Sequence, residues 1–271
     1  MLKILFFGDI AGSPGRKAVK QELPKIMESE QPDLVLANVE NLAHGKGVTV
    51  KTIEELMRAG IQGFTGGNHV FSKKEFSEQA LRKYSELIVI PGNIPDTYAG
   101  STAVKIETAK GSVLLGNFLG QVFMDRQFPE AVSSPFSGVD EWLNSHSEKF
   151  AAIVVDFHAE ATSEKIAFGY YLDGRVAAVL GTHTHIPTAD AKVLSQGTAY
   201  ITDVGMCGAA GSVLGVKKEL SLKRFLTGER VAFDIPEDAS SAELSYVIIT
   251  IDEQSAKAIS IQAVHKIVGL R

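Results

Sequence analysis

Residues 1–9 read Met1-Leu2-Lys3-Ile4-Leu5-Phe6-Phe7-Gly8-Asp9, an apolar run that stops at a glycine and a carboxylate. Ile4 to Phe7 has the length and unbroken hydrophobicity of a strand covered on both faces, and Lys17 to Glu28 follows it with helical spacing. The alternation continues with a strand at Leu34 to Ala37 and a helix at Lys51 to Arg58, which predicts α/β units with parallel pairing. Ser72, with Glu75 three residues on, has the form of a capping box that opens a helix through Lys83. Further strands are predicted at Leu87 to Ile90, Ala151 to Phe157, Val176 to Leu180 and Ala199 to Thr202. Two hairpins break the pattern: Thr102 to Glu107 with Val113 to Phe118, and Tyr246 to Ile251 with Ala258 to Val264. Parallel units mixed with hairpins imply mixed sheets. No internal repeat or linker interrupts the chain, and residues 235–242 (IPEDASSA) read as a polar surface loop, so one domain spanning 1–271 is expected.

With 271 residues, 45% hydrophobic and 22% charged, the chain can bury a large core. A net charge of -5 without any Lys/Arg block argues against a binder of nucleic-acid backbones or membrane surfaces, so a phosphate substrate has to be attracted locally. The apolar stretch before Gly8 is too short for a signal peptide, and no run approaches the roughly 18 residues of a membrane helix. A single cysteine, Cys207, excludes an intramolecular disulfide and fits a reducing compartment. A cytoplasmic location is expected. Homo-oligomerisation is compatible with the sequence.

Polar and glycine residues recur just beyond the predicted strands: Gly8-Asp9, Asn38-Val39-Glu40-Asn41, Gly67-Asn68-His69, His158, and Gly181-Thr182-His183-Thr184-His185. Carboxyl ends of strands are where α/β proteins bind ligands, so the five segments are expected to converge. Each has an ordinary explanation when taken alone. Asp9 could cap the next helix, Glu40 and Asn41 could satisfy backbone amides, and Asn68 could occupy a left-handed turn. His158 could be a hydrogen-bonded structural residue. His183 and His185 are more specific, because alternate residues of an extended segment project to one side and two imidazoles can face one metal centre. Five independent structural accidents that together supply imidazole, carboxylate and amide ligands are far less probable than any one of them. Gly8, Gly12 and Gly15 lack dinucleotide-loop spacing, since position 10 is Ile, and no P-loop is present. His44, in the glycine-rich loop after Glu40, His146 and His265 have no comparable context.

In this order the segments resemble the calcineurin-like metallophosphoesterases, whose motifs are D-x-H, G-D, G-N-H-D/E, a lone His and G-H-x-H. The departures are informative: Asp9 is followed by Ile10-Ala11, Asn38-x-Glu40-Asn41 stands for G-D, Val70 follows Gly67-Asn68-His69, and Thr182 separates Gly181 from His183. They look like the YmdB-type subfamily along essentially the whole chain, including Asp173-Gly174-Arg175 and Thr202-Asp203-Val204-Gly205-Met206. The resemblance implies a four-layer α-β-β-α sandwich with two mixed sheets and hydrolysis of phosphodiesters, 2',3'-cyclic nucleotides among them. It implies Asp9, Glu40, Asn41 and His185 on one metal and Glu40, Asn68, His158 and His183 on the other, with Glu40 bridging. Iron is the metal the family suggests, and manganese is chemically plausible in the same cage. Cys207-Gly208-Ala209-Ala210-Gly211 departs from the Thr- and Pro-containing loop of the relatives, so substrate preference transfers less fully than metal binding.

The residue chemistry agrees with that resemblance. Two metals roughly 3.5–4 Å apart can hold a bridging water, lower its pKa and clamp the oxygens of an in-line displacement. A carboxylate has two oxygens and can serve both ions, which suits Glu40 to the bridge, whereas an Asn amide supplies one neutral ligand. His69 is assigned to proton donation, because neighbours in an extended segment point oppositely, so Asn68 and His69 do not both bind one ion. The expected ligand is a small phosphodiester or cyclic nucleotide, with no stable nucleic-acid complex and no membrane partner. Two rival readings exist. One is a thiol or serine hydrolase using Cys207, although no G-x-S-x-G elbow is present. The other is a regulatory protein that binds a nucleotide or phosphoprotein with little turnover, which loss of cage residues would favour.

Overall fold

The computed structural model of the chain describes residues 1–124 and 132–271. In chain order its elements are β1 (Leu2–Phe7), β2 (Asp9–Ile10), α1 (Gly12–Glu30), β3 (Leu34–Asn38), α2 (Val50–Ala59), β4 (Gly63–Thr65), α3 (Lys74–Lys83), β5 (Ile88–Val89), β6 (Ala103–Thr108), β7 (Gly111–Leu119), α4 (Pro135–Ser145), β8 (Ala152–His158), α5 (Thr162–Tyr171), β9 (Ala178–Thr182), β10 (Lys192–Val193), β11 (Ala199–Ile201), β12 (Met206–Ala209), α6 (Lys218–Thr227), β13 (Ser241–Asp252) and β14 (Lys257–Gly269).

Two mixed sheets result. The first runs β2-β12-β13-β1-β3-β4-β5, with β14 on the other edge of β13. In it β1, β3, β4 and β5 are parallel, while β13 is antiparallel to β1 and to β14. The second runs β10-β11-β9-β8-β7-β6, parallel through its centre and closed by an antiparallel strand at each edge.

The apolar run that opens the chain explains the layering. Successive side chains of a strand face opposite sides, so Leu2, Ile4 and Phe6 enter the core between the sheets while Leu5 and Phe7 join the core under α1, α2 and α3. Strand β8 does the same in the second sheet: Val154 faces the first sheet, and Val155 and Phe157 pack with Trp142 of α4 and Phe168 of α5. Each fully buried Phe or Leu contributes roughly 1.5–3 kcal/mol, and helices cover the outer faces of both sheets except along β14, which is largely exposed. The expected four-layer α-β-β-α sandwich is what forms. No helix among the described residues is long and apolar enough to cross a membrane.

One local expectation fails. Helix α3 starts at Lys74 with Lys73 at its N-cap and no side-chain cap, so the Ser72–Glu75 capping box does not form. Ser72 is used otherwise, its N–H donating to the His69 carbonyl at 2.9 Å in the turn that follows Gly67. A capping box does form at α2, between Thr49 and Thr52.

Candidate metal centre

Strand register brings the five segments level. Phe7 lies opposite Ala37, Ala37 opposite Phe64, and in the other sheet His158 opposite Thr182, so the residues just past these strands share one rim. The sheets meet there through Asp156, which is fully buried. Its carboxylate accepts from Asn38 Nδ2 of β3 at 2.9 Å, from the Thr65 hydroxyl of β4, and from the Thr182 hydroxyl of β9 at 2.6 Å. Burial pushes Asp156 up to about 6 against these donors.

Two groups of ligand atoms form above this hub, Glu40 with His158 and His183, and Asp9 with Glu40 and His185; within each group the atoms lie within 4.8 Å of one another. Glu40 belongs to both. His158 Nε2 lies 3.1 Å from Glu40 Oε2, 3.0 Å from Asn68 Oδ1 and 3.1 Å from His183 Nδ1. His185 Nε2 lies 3.9 Å from Asp9 Oδ1 and 3.0 Å from Asn41 Nδ2. Asn41 turns its amide nitrogen to Glu40 and His185 and its oxygen to His69, so service as an oxygen ligand requires the amide turned over, which exchanges two atoms of nearly equal size. Gly67 lets the cage close: a Cβ there would sit 2.3 Å from Glu40 Oε2 and 2.7 Å from His158 Nε2.

Two of the ordinary explanations fail, while Glu40 does accept a backbone N–H, that of His69 at 2.9 Å, and His158 is hydrogen-bonded to Thr182. Asp9 caps nothing, since the N-cap of α1 is Ala11 and no side chain bonds there. Asn68 is not among the non-glycine residues with positive φ, so it is no left-handed turn residue. Nor do His183 and His185 sit in the extended segment expected of them. Strand β9 ends at Thr182, and the two histidines have φ of 99° and 67°. Such conformations cost roughly 1–3 kcal/mol each and persist only where surrounding structure imposes them. His183 consequently reaches the group with His158, and His185 the group with Asp9. Asn68 and His69 likewise lie in a turn, not a strand, and both reach the cage: His69 Nδ1 is 3.2 Å from Glu40 Oε1 and from Asn41 Oδ1. His44 is exposed and pairs with Glu237, His146 ends α4 against Trp142, and His265 lies on β14 beside Ser245.

The donor set fits cations. Thr182 has one hydroxyl proton and gives it to Asp156, so it accepts from His158 Nδ1 at 2.8 Å; the neutral imidazole then carries its lone pair on Nε2, aimed into the cage. Glu160 stands 3.0 Å from His183 Nε2, and the Leu214 carbonyl 3.1 Å from His185 Nδ1, which leaves His183 Nδ1 and His185 Nε2 facing inward. Each histidine thus has its outer nitrogen held by an acceptor, the usual support of a metal-binding imidazole. With both imidazoles neutral in these tautomers, the lone pairs of His158 Nε2 and His183 Nδ1 face the oxygens of Asn68 and Glu40, and among the described residues Asp9 Oδ1 and Asn68 Nδ2 are buried without a hydrogen-bond partner. Burial opposes charge on His158, yet Glu40 and Asp9 outweigh it and raise the imidazole to about 9. Burial likewise pushes Glu40 up, but His158 and His69 hold it well below the usual carboxylate range. Asp9 is raised by burial in spite of His185 and His158, and burial with the His158 charge lowers His183. Proton or metal, a cation belongs at this place.

Cys207 is fully buried in β12, its thiol donating to the Ser245 carbonyl at 3.3 Å, and burial pushes it up to about 12. A thiol so placed is no nucleophile at neutral pH. Cys207→Ala is expected to keep activity within a few-fold, and the native thiol to resist a disulfide reagent until the protein unfolds. A thousandfold loss of phosphodiesterase activity in that variant would restore the thiol hydrolase reading.

The sequence reading missed Asp156, Thr182, Glu160 and the Leu214 carbonyl, which aim the histidines. The signal for Asp156 was a lone charge in an otherwise apolar strand, and Leu214 offers none because only its backbone takes part.

Comparison with known proteins identifies the family. The chain is 40% identical over 263 residues to the 2',3'-cyclic-nucleotide 2'-phosphodiesterase of Bacillus subtilis (strain 168), covering 97% of this chain and 96% of that protein. Its fold superimposes on a crystal structure of a phosphatase from Mycoplasma pneumoniae with a TM-score of 0.91 at 35% identity, over 99% of this chain and 94% of that one. A crystal structure of a Thermus thermophilus protein gives a TM-score of 0.88 at 36% identity, over all of both chains. The YmdB-like protein family matches residues 5–264, and the chain belongs to that family.

Proposed function

We propose that the chain is a two-metal phosphodiesterase that hydrolyses 2',3'-cyclic nucleotides in the cytoplasm. The observation that carries this reading is Glu40, a buried carboxylate shared by two clusters of inward-facing lone pairs. The activity named for the Bacillus subtilis relative supports it. In this assignment Asp9, Glu40, Asn41 and His185 hold one ion and Glu40, Asn68, His158 and His183 the other. Iron or manganese suits the mixed imidazole, carboxylate and amide set. When bound, the ions supply Lewis acidity to the phosphoryl group and acidify water.

The chain's own groups do the rest. Asp156, Glu160 and the Leu214 carbonyl keep the imidazole protons out of the cage. Asn41 and Asn68, standing where carboxylates could, leave more net positive charge on the pair, which favours an anionic phosphodiester. His69 Nε2 has no hydrogen-bond partner among the described residues, so it is the nitrogen free to protonate a departing ribose oxygen.

Metal analysis of protein purified without chelators, paired with bis-p-nitrophenyl phosphate turnover, tests the reading: two ions per chain and activity lost with a chelator are expected. Metal-free protein with full activity would overturn it. Because the cage includes no Lys or Arg to hold a dianion, kcat/KM for 2',3'-cyclic nucleotides is expected to exceed that for nucleoside monophosphates by roughly tenfold or more. Equal or better turnover of the monoesters under the same metal loading would refute this preference.

A further inference from the structure

A buried ion pair lies behind the histidine loop and not in the cage. Lys165 of α5 and Asp203, just past β11, have side chains 1% and 0% exposed, with Nζ 2.6 Å from Oδ2. Lys165 Nζ also donates to the Thr182 carbonyl at 2.6 Å. Asp203 Oδ2 accepts from the Thr184 N–H at 3.0 Å and from the Thr184 hydroxyl at 2.8 Å, while Oδ1 accepts from the Gly205 N–H at 2.8 Å. The two charges therefore grip the peptide groups on either side of His183: the ammonium takes the carbonyl before it, the carboxylate the N–H after it.

Thermodynamic stability gives little reason to keep such a pair. Desolvating two charges costs so much that apolar residues of similar volume often replace a buried ion pair without loss of stability. The loop it grips does give a reason. His183 and His185 both stand at positive φ, which neighbouring structure has to impose, and both aim one chosen nitrogen into the cage. Gly181 completes the fit, since a Cβ there would lie 1.7 Å from the Thr202 carbonyl oxygen, one residue before Asp203.

We propose that Lys165 and Asp203 are positioning residues, whose buried ion pair holds the Thr182–His185 loop and thereby aims His183 and His185 into the cage. This rests on the reading of those histidines as metal ligands. The diagnostic variant is the double substitution Lys165→Met with Asp203→Leu, because either single change leaves one buried charge unpaired and lowers stability for that reason alone.

The double variant is expected to melt close to the wild type. It should nevertheless bind Mn2+ 10–100-fold more weakly in calorimetric titrations of the full chain, and lose kcat on bis-p-nitrophenyl phosphate by a similar factor with little change in KM. Wild-type manganese affinity and kcat in the double variant would overturn the proposal. Should that variant fail to fold, Lys165→Met with Asp203→Asn, which removes both charges and keeps the size of Asp203, is expected to show the same losses, and wild-type affinity and kcat there would overturn the proposal equally. A wild type that binds no manganese would sink the metal reading instead. The clamp is then judged by imidazole 15N spectra of metal-free protein. There the wild type should hold the His183 proton on Nε2 and the His185 proton on Nδ1, and the variants should show averaged tautomers; unchanged spectra would overturn it.

Discussion

Glu40→Gln is expected to lower phosphodiesterase activity by on the order of a thousandfold or more and to cut metal content to one ion or none per chain, with the fold retained. The magnitude follows from what a shared carboxylate provides. Metal ions contribute several kcal/mol of transition-state charge stabilisation, and each 1.36 kcal/mol is tenfold in rate. Gln keeps the length and one oxygen, so it still accepts from the His69 N–H that Glu40 Oε2 now takes at 2.9 Å. It cannot present two anionic oxygens to two clusters. A second readout does not depend on metal. In the metal-free wild type Glu40 is the largest influence raising His158, against the opposing effect of burial. Without its charge the His158 pKa should fall from about 9, which the pH titration of its imidazole signal would report. Two ions and full activity in Glu40→Gln would remove the bridging assignment, and an unmoved His158 would show that the two residues are not electrostatically linked.

The sandwich was legible in the sequence because its strands carry the signal locally. Ile4 to Phe7 and Leu34 to Ala37 are buried on both faces and apolar throughout, and Ala151 to Phe157 is apolar but for Asp156, so none of them carries the periodicity of an amphipathic helix. The hairpins were legible for a similar reason, since β6 to β7 and β13 to β14 turn within a few residues. The positions of the candidate ligand residues followed from strand ends. How they are aimed did not, because aim depends on partners remote in sequence. Asn38 and Asp156 are 118 positions apart, Asp9 and His183 are 174 apart, and neither pairing has a local pattern. The H-x-H spacing was read as a strand face, yet β9 ends at Thr182 and two left-handed residues point the imidazoles to different clusters. Ser72 misled in the opposite way: the local pattern of a cap is present, but the turn holding Asn68 and His69 takes its N–H first.

His69→Ala is expected to keep both metals and lose kcat on 2',3'-cyclic nucleotides by roughly 10²–10⁴-fold, the usual contribution of a positioned acid or base. The residue stands beside the cage without belonging to either cluster of ligand atoms. Its Nδ1 is occupied by Glu40 and Asn41 at 3.2 Å, and its side chain is 26% exposed, so the ring can meet substrate through Nε2. An imidazole anchored at one nitrogen by a carboxylate and open at the other is placed to carry a proton to a leaving group. The demand for that proton depends on the leaving group. A ribose oxygen departs poorly as an alkoxide, whereas p-nitrophenolate scarcely needs protonation, so bis-p-nitrophenyl phosphate should suffer the smaller loss. This contrast separates proton donation from support of the cage. If His69 chiefly held Glu40 and Asn41 in place, the variant would shed metal, and both substrates would decline together. Metal content, kcat on the cyclic nucleotide and kcat on the nitrophenyl ester, measured on one preparation, decide the matter: equal losses on the two substrates, or a fall in activity that tracks a fall in bound metal, would end the general-acid assignment.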